Sequence, residues 1–298
     1  MKKILLAAVF TATLFSAVSA QAYLRMTKRD GALTVQEATT DEIVEIFARN
    51  NYDDYTKERG SYPRIYMDHM PTDWKDIQDN DAKHRIFIRI MLPLVLKINE
   101  EIAQERKVLE DLRLKFIKEK QLSMSEASFL EQKAREYDAF THLKGDERTL
   151  SLFRQLMIKV DAVPPSLMIA TAAIYTDWGT SRLALTANSL YLDEVWYDDR
   201  GVVPLDDPDA NYRYKAYENL ADCIRARALL LNSHINYDYL RESRRLSRQM
   251  KRPPYGEQLA AKMLNDSNLK NVAGLIDYTF TFYKLNRTDF FPELRDAK

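Results

Sequence analysis

The stretch "PPSLMIATAAIYTDWGTSRLA", residues 164–184, lies at the centre of the predicted fold. Pro164 and Pro165 favour the first turn of a helix, because a backbone N–H at that position has no helical partner to lose. The residues that follow predict a helix, and Trp178-Gly179 marks a turn after which a second helix begins. The stretch therefore predicts two helices joined by a tight turn.

Helical patterns flank this stretch on both sides. Between residues 81 and 120 apolar side chains recur at helical spacing, and Pro93 is expected to kink or split that long helix. A capping box from Ser123 to Glu126 opens a further helix. After Thr186 the pattern alternates and carries a turn signal, which predicts a small β-hairpin lobe before helical spacing returns. The predicted class is mostly α (α+β), a helical domain with a small β-hairpin lobe.

The first twenty residues, "MKKILLAAVFTATLFSAVSA", predict a signal peptide. Two lysines precede a short apolar run, and small residues that suit a cleavage site follow it. The run is shorter than the ~20 residues that a membrane-spanning helix needs. We therefore expect export to a bacterial periplasm and no transmembrane segment in the mature chain.

The rest of the chain divides into three regions by composition. Residues 21–80 are polar and rich in Tyr and Asp, and they predict an extended N-terminal arm with one short helix capped by Thr40 or Asp41. Residues 81–285 are expected to form a single domain, because no linker rich in Gly, Ser or Pro interrupts them. Residues 286–298 are expected to be a C-terminal tail.

Composition and charge narrow the possible functions. The 298 residues hold 44 Lys and Arg against 44 Asp and Glu, so no net field favours nucleic acid. Cys223 is the single cysteine and shares a helical face with Leu220 and Ile224, which predicts a buried structural thiol. The four histidines occur singly, so neither a metal nor a cofactor is implied. The Arg-rich segment 241–252 favours a solvated helix face.

Several segments resemble one protein family. "VDAVPPSLMIATAAIYTDWGTSRLA" is similar to the signature of the bacterial glucosaminidase-domain family, and in particular of its exported Bax-type branch. Other segments resemble that branch in the same order, over about residues 75–285: "IFIRIMLPLVLKINEEIAQERKVL", "LSMSEASFLEQKAREY", "GVVP", "YKAYENLADCIRA", "LNSHINYDYLRESRR" and "GEQLAAKMLN".

The resemblance implies a lysozyme-like domain that acts on the β-1,4 bond following N-acetylglucosamine in peptidoglycan. In the family, a Glu three residues before the turn Trp is the catalytic acid, and Tyr175 takes that place here. A phenol with a pKa near ~10 is a far poorer acid at neutral pH than a carboxyl tuned to ~6. Hydrolysis by the family's route is therefore expected to be lost. Leu192 also departs from the family, which has Gly at that position.

Other carboxylates could replace the missing acid. Asp177 is the nearest in sequence, but two residues on a helix point about 200° apart, so it should face away from Tyr175. The alternative is that Asp177 stabilises the helix end. The predicted lobe holds four more carboxylates, which could face a groove or be solvated: Asp193, Glu194, Asp198 and Asp199.

Aromatic residues near the predicted turn and lobe suit sugar faces. The candidates for substrate binding are Trp178, Tyr191, Trp196, Tyr197 and Tyr217. For Trp196 and Tyr197 the alternative is that they form the small core of the lobe, and for Tyr217 it is a packing role.

These observations predict a degenerate, non-catalytic glucosaminidase-like protein that binds peptidoglycan glycan strands or an envelope protein. One alternative is an active N-acetylglucosaminidase that uses Asp177 or a carboxylate of the lobe. Another is an envelope scaffold protein with no sugar binding. Aromatic side chains that converge on an open groove would favour the first interpretation over the last, because a protein that has lost its ligand has no reason to keep them exposed.

Overall fold

The computed structural model of the chain describes residues 25–53, 55, 60–196, 201–252, 256–265, 272–290 and 293–298. The predicted signal peptide, residues 1–20, lies outside the described residues. The helices are α1 (Thr40–Arg49), α2 (Asn80–Glu119), α3 (Met124–Glu136), α4 (Gly145–Lys159), α5 (Pro165–Thr176), α6 (Arg182–Ala187), α7 (Leu220–Ser233), α8 (Asp238–Gln249), α9 (Gly256–Asn265) and α10 (Val272–Phe282). The strands are β1 (Met26–Arg29), β2 (Ala32–Val35), β3 (Ser61–Pro63), β4 (Ile65–Met67), β5 (Glu194–Trp196), β6 (Tyr212–Tyr214) and β7 (Glu293–Arg295). This composition confirms the predicted mostly-α class with small sheets.

Helix α5 is the centre of the fold. It begins at Pro165, as the sequence predicted, and only Ile174 and Tyr175 of its 12 residues are less than fully buried. A helix that is apolar all round must be surrounded by protein. Helices α2, α9 and α10 and the 3₁₀ helix Leu285–Asp289 surround it.

Helix α2 runs beside α5 as one element of 40 residues, about 60 Å long at ~1.5 Å per residue. The expected break at Pro93 does not occur, and the helix continues through it. Pro93 and its neighbours Leu92 and Leu94 are buried, so packing holds the helix together where one backbone hydrogen bond is lost. A left-handed residue, Lys120, ends the helix. No helix among the described residues is both long enough and apolar enough to span a membrane.

The N-terminal region differs from the extended arm that the sequence predicted. Its short helix α1 is present, but the N-cap is Thr39, one residue before the expected position. Strand β2 pairs with β1 and, in parallel, with β4. Phe47 and Trp74 are fully buried in the same core as α5. The region is therefore part of the main body, because long-range strand pairing orders segments that are too short to show a pattern.

The C-terminal residues also differ from the tail that was expected. Strand β7 pairs in parallel with β3, so the end of the chain completes a two-stranded sheet with the N-terminal region. The backbone N–H of Ala297 donates to the carbonyl of Gly31 at 2.7 Å. The N–H of Lys298 donates to Asn50 Oδ1 at 2.6 Å. Both ends of the described chain are thus fixed to each other.

The predicted lobe is a two-stranded antiparallel sheet of β5 and β6. The Arg-rich segment in α8 is only partly the solvated face that was expected, since Arg241 and Arg244 are 2% and 3% exposed. Arg241 Nη1 donates to the carbonyl of Leu231 at 2.9 Å, and Arg244 Nη1 donates to that of Asp161 at 2.9 Å. These two side chains join α8 to neighbouring segments, because a buried guanidinium needs acceptors.

Candidate functional site at the end of the central helix

The turn after α5 is held by its own backbone and by hydrogen bonds from nearby side chains. Asp177, Trp178 and Gly179 all have positive φ, at 48°, 56° and 81°. Thr176 Oγ1 donates to the carbonyl of Ala172 at 2.6 Å and accepts from the N–H of Gly179 at 2.9 Å. The chain therefore reverses within a few residues with its polar groups satisfied.

Trp178 packs in the core. Its ring stacks on His84 with centroids 3.9 Å apart, and the rings of Phe87 and Tyr283 meet it at 5.8 Å and 5.0 Å. Its backbone carbonyl accepts from Trp74 Nε1 at 2.9 Å. Only 7% of Trp178 is exposed, so this ring offers no open face to a sugar, in contrast to the role expected from the sequence.

Asp177 lies close enough to His84 for its charge to act on that ring. It is exposed, and its Oδ2 accepts from Thr180 Oγ1 at 3.2 Å. Burial lowers the pKa of His84 to about 4, and the Asp177 carboxylate acts in the opposite direction. Asp177 thus belongs to the exposed surface of the turn.

Tyr175 points to a different set of residues. It is half-buried and packs against the core. Burial raises its pKa above the ordinary value, and the positive charge of Arg227 is the strongest opposing influence. The phenol is therefore neutral at physiological pH, with a guanidinium as its main charged neighbour.

Arg227 forms a buried ion pair with Asp193. Arg227 Nη1 donates to Asp193 Oδ1 at 3.2 Å, and the two side chains are 6% and 14% exposed. The hydroxyl of Tyr217 donates to the other carboxylate oxygen at 2.9 Å. The guanidinium also lies 5.4 Å from the ring centroid of Tyr191 and 5.7 Å from that of Tyr237. Tyr175, Asp193, Tyr217 and Arg227 form the group that we name the arginine cluster.

The link between α6 and β5 brings this cluster together. The hydroxyl of Tyr191 donates to the carbonyl of Met168 in α5 at 3.2 Å, which fixes the link to the central helix. Leu192 follows with φ of 55°, a conformation that favours glycine. The backbone carbonyl of Asp193 accepts from the N–H of Lys215 at 2.8 Å. Tyr191 is only 3% exposed, so it joins segments and has no face open to a sugar, contrary to the expected role.

The sheet of β5 and β6 carries one exposed aromatic residue, Trp196, and two half-buried ones, Tyr212 and Tyr214. Trp196 lies opposite Tyr212, and Glu194 lies opposite Tyr214, so these four side chains share one face. Trp196 is 53% exposed, with its ring centroid 5.4 Å from that of Tyr212. We name this face the aromatic face. The other candidates of the lobe, Tyr197, Asp198 and Asp199, lie outside the described residues.

Arg227 belongs to the candidate site, but no motif in the sequence pointed to it. A signal was present, because Arg227 falls at helical spacing in a stripe with Cys223, Ile224 and Ala228. A cation in an apolar stripe predicts a buried partner. Cys223 is buried and free, as the sequence predicted, and its Sγ accepts from the N–H of Leu190 at 3.4 Å.

Comparisons with known proteins find similar sequences over this region of the chain. Residues 150–276 match the glucosaminidase family model, described as mannosyl-glycoprotein endo-beta-N-acetylglucosaminidase. The chain is 25% identical over 172 residues to the protein bax of Escherichia coli (strain K12), a match that covers 58% of this chain and 59% of that protein. The match thus spans about three fifths of the relative's length. No solved structure matches the chain. The family match includes α5, the turn and the whole arginine cluster.

Proposed function

We take as premise the Bax-type glucosaminidase-domain family that the two matches support, and we propose that this chain binds peptidoglycan glycan strands without hydrolysing them. The glucosaminidase-like domain itself suggests a function related to peptidoglycan. Export to the periplasm, which the N-terminal sequence predicts, would bring the protein to that polymer.

The observation that carries the non-catalytic part is the environment of Tyr175. By the family resemblance, this position belongs to the acid that protonates the glycosidic oxygen. Such an acid needs a carboxyl with a raised pKa, which burial in an apolar pocket supplies. Here Arg227 lies close by, and a guanidinium favours the ionised form of a neighbouring carboxyl. Burial at position 175 acts in the direction that a catalytic acid needs and Arg227 acts against it, so the site lacks the carboxyl itself and holds a cation that would weaken one.

Neither nearby carboxylate replaces that acid. Asp177 is turned toward Thr180 and His84. Both oxygens of Asp193 already accept hydrogen bonds, from Arg227 and from Tyr217. Donors of this kind stabilise the ionised carboxylate, which cannot donate a proton.

The aromatic face is the surface that we propose for the glycan. Sugar rings present apolar C–H faces that stack on aromatic side chains, and Trp196 is exposed enough to offer one. Glu194 on the same face could accept hydrogen bonds from sugar hydroxyls. Tyr217, the family's groove residue by resemblance, is half-buried beside the lobe through its bond to Asp193.

One observation favours the rival proposal of an active glucosaminidase. Glu194 is exposed on the face that carries Trp196, so a carboxylate and a sugar-binding ring do lie together. A glycosidase needs two such carboxyl groups, about 5–9.5 Å apart across the bond. A scaffold that does not bind sugar is the third possibility, and the burial of Trp178 and Tyr191 is what favours it.

The deciding experiment measures cleavage and binding on the same purified peptidoglycan sacculi. We expect the unmodified protein to sediment with sacculi and to release no reducing ends. Tyr175→Glu should restore little or no hydrolysis, because Arg227 would counteract the rise in pKa that burial gives the new carboxyl, and Leu192 stands where the family has Gly. Hydrolysis by the unmodified protein that is abolished by Glu194→Gln or Asp177→Asn would establish the rival instead.

The binding surface is tested with a matched pair of variants. Trp196→Ala should weaken sacculus binding by about tenfold, since stacked aromatic contacts contribute about 1–1.5 kcal/mol. Phe140→Ala removes another exposed aromatic residue, 68% exposed and outside the lobe, and should change nothing. If both variants bind as the unmodified protein does, the aromatic face is not the glycan site. If the unmodified protein does not sediment with sacculi at all, the scaffold interpretation is favoured.

A further inference from the structure

A cavity opens at the N-terminal end of α5, far from the arginine cluster. Its volume is about 360 Å³, within the range of small-molecule sites. It is lined by residues of α2, of the segment before α5 and of α8. Pro165 lines the cavity and Tyr175 lies ten residues further along α5, so about 15 Å separates the cavity from the level of Tyr175. The proposed glycan function does not involve it.

The walls of the cavity are largely apolar. Leu96 of α2 and the run Val163, Pro164 and Pro165 line it, and all four are buried side chains. Asp289 also lines it, but its carboxylate is held by α5. It accepts from the N–H of Ser166 at 2.9 Å and from Ser166 Oγ at 2.5 Å. The carboxylate thus caps a helix that starts with two prolines and is committed to that role.

The cationic side chains of the cavity outnumber its carboxyls. Arg244, Arg248, Lys251 and Arg252 line it, against Glu100, Asp161 and Asp289. Glu100 pairs with Arg64 at 2.8 Å, and Asp161 pairs with Arg248. Lys251 is exposed at the edge, so the mouth of the cavity carries positive charge.

One lining side chain, Arg244, has a buried donor without an acceptor among the described residues. Arg244 is 3% exposed, and its Nη1 donates to the carbonyls of Asp161 and Ala162 at 2.9 Å and 3.0 Å. Its Nε is buried without a hydrogen-bond partner among the described residues. A buried donor without an acceptor is costly, and an oxygen of a bound ligand could satisfy it.

We propose that this cavity binds an anionic amphiphile, a molecule with one apolar chain and a carboxylate, phosphate or sulfate head group. The chain would lie against Leu96 and the prolines, where it loses contact with water. The head group would face Lys251 and Arg244, because opposite charges attract and a charged acceptor makes a stronger hydrogen bond than a neutral one.

The test uses ligands that share a chain and differ in head group. Binding of dodecanoate to the full-length protein is measured by calorimetry below the concentration at which micelles form. Dodecanol and dodecyltrimethylammonium are measured in the same way, and acetate and inorganic phosphate test the head groups alone. We expect dodecanoate to bind with one molecule per chain and about tenfold more tightly than dodecanol. The cationic ligand and the two free anions should not bind measurably.

Two variants place the ligand in the cavity. Ala103 lines the cavity and is exposed, so Ala103→Trp should obstruct it without disturbing the core and should weaken dodecanoate by about tenfold or more. Lys251→Glu should weaken it by about fivefold, in line with one exposed ion pair. The matched control is Lys120→Glu, at an exposed lysine that also has positive φ and ends α2 far from the cavity.

The proposal is overturned if dodecanoate does not bind, if dodecanol binds as tightly, or if neither Ala103→Trp nor Lys251→Glu changes the affinity. Unfolding of each variant by denaturant provides the check that the fold is intact. Sacculus binding should not respond to Ala103→Trp, so failure of this proposal and failure of the glycan proposal give different results.

Discussion

The two sides of the C-terminal end of α5 are built in different ways. On one side, the turn from Thr176 to Ser181 is held by backbone hydrogen bonds and by the packing of Trp178 against His84 and Tyr283. On the other side, Tyr175 meets the buried charges of Arg227 and Asp193. The first side is neutral packing around a fixed backbone, and the second is a polar cluster that depends on pairing.

This difference separates what holds the turn from what surrounds position 175. Gly179 has no room for a side chain, since a Cβ there would lie 2.9 Å from Met70 Cε and 3.0 Å from Phe87 Cε2. The Trp-Gly turn therefore has a structural reason to persist whether or not the protein cleaves glycan. Tyr175 is half-buried, and its charged neighbours are Arg227 and Asp193. A match to the turn is thus informative about fold and weakly informative about activity.

The largest effect is expected from breaking the ion pair. Arg227→Met should lower the free energy of unfolding by about 3–5 kcal/mol, because Asp193 would remain buried without its cation. The control is Arg225→Met, on the same helix as Arg227. It removes an exposed ion pair with Glu101 of α2 and should lower the free energy of unfolding by less than about 1 kcal/mol. Denaturant unfolding compares the two. A loss for Arg227→Met no larger than that of Arg225→Met would mean that the cluster is not held by its charges, and Arg227→Met with Asp193→Leu should recover most of the stability.

A slightly smaller effect is expected at the turn. Gly179→Ala should lower the free energy of unfolding by about 2–3 kcal/mol more than Gly145→Ala. Both glycines have positive φ, but a Cβ at Gly145 would meet nothing within 4 Å, so the control isolates steric overlap from backbone strain. Equal losses in urea unfolding would show that the turn has more space than its contacts indicate.

The stability of the protein should also depend on pH through His84, which stacks on Trp178 of the turn. Because burial lowers the pKa of His84 to about 4, its folded pKa lies below its unfolded value of about 6.5. Its contribution to stability is thus present above pH 6.5 and is lost as the pH falls through 4. His84→Phe keeps a ring against Trp178 and cannot titrate. The unmodified protein should lose roughly 1–2 kcal/mol more than this variant between pH 6.5 and 4, a value reduced because the ring is half-exposed. Parallel stability curves would contradict this assignment.

The smallest effect on the free energy of unfolding is expected at Tyr175. Tyr175→Phe removes a hydroxyl that is half-buried and should change the free energy of unfolding by less than about 1 kcal/mol. Sacculus binding should be unchanged, because the proposed glycan surface is the aromatic face. A large loss of binding with the fold intact would instead assign the Tyr175 hydroxyl to the ligand.

Local patterns in the sequence predicted most of the helical frame. The Pro-Pro start of α5 and the capping box before α3 act within a few residues, and both occur where they were expected. Segments whose order depends on distant partners were not visible in this way. The strands of the N-terminal region are three or four residues long and form only because β2 pairs with β4 and β3 pairs with β7 across the chain.

The candidate site was predicted in part. Asp193 and Tyr217 were singled out from the family pattern and do lie together near Tyr175. Trp178 and Tyr191 were expected to face sugar and are buried. Sequence spacing could not distinguish these outcomes, because an aromatic ring suits a core and a sugar face equally well.

The sequence by itself determined the helical class, the central apolar helix, the turn after it and the presence of a phenol at position 175, three residues before Trp178. These follow from periodicity, from capping and from residue identity, which are local properties. Only the tertiary structure decided that Arg227 and Asp193 pair beside that phenol and that Trp178 and Tyr191 are buried. Burial and the positions of opposite charges depend on segments far apart in the chain, and they set the pKa of each group.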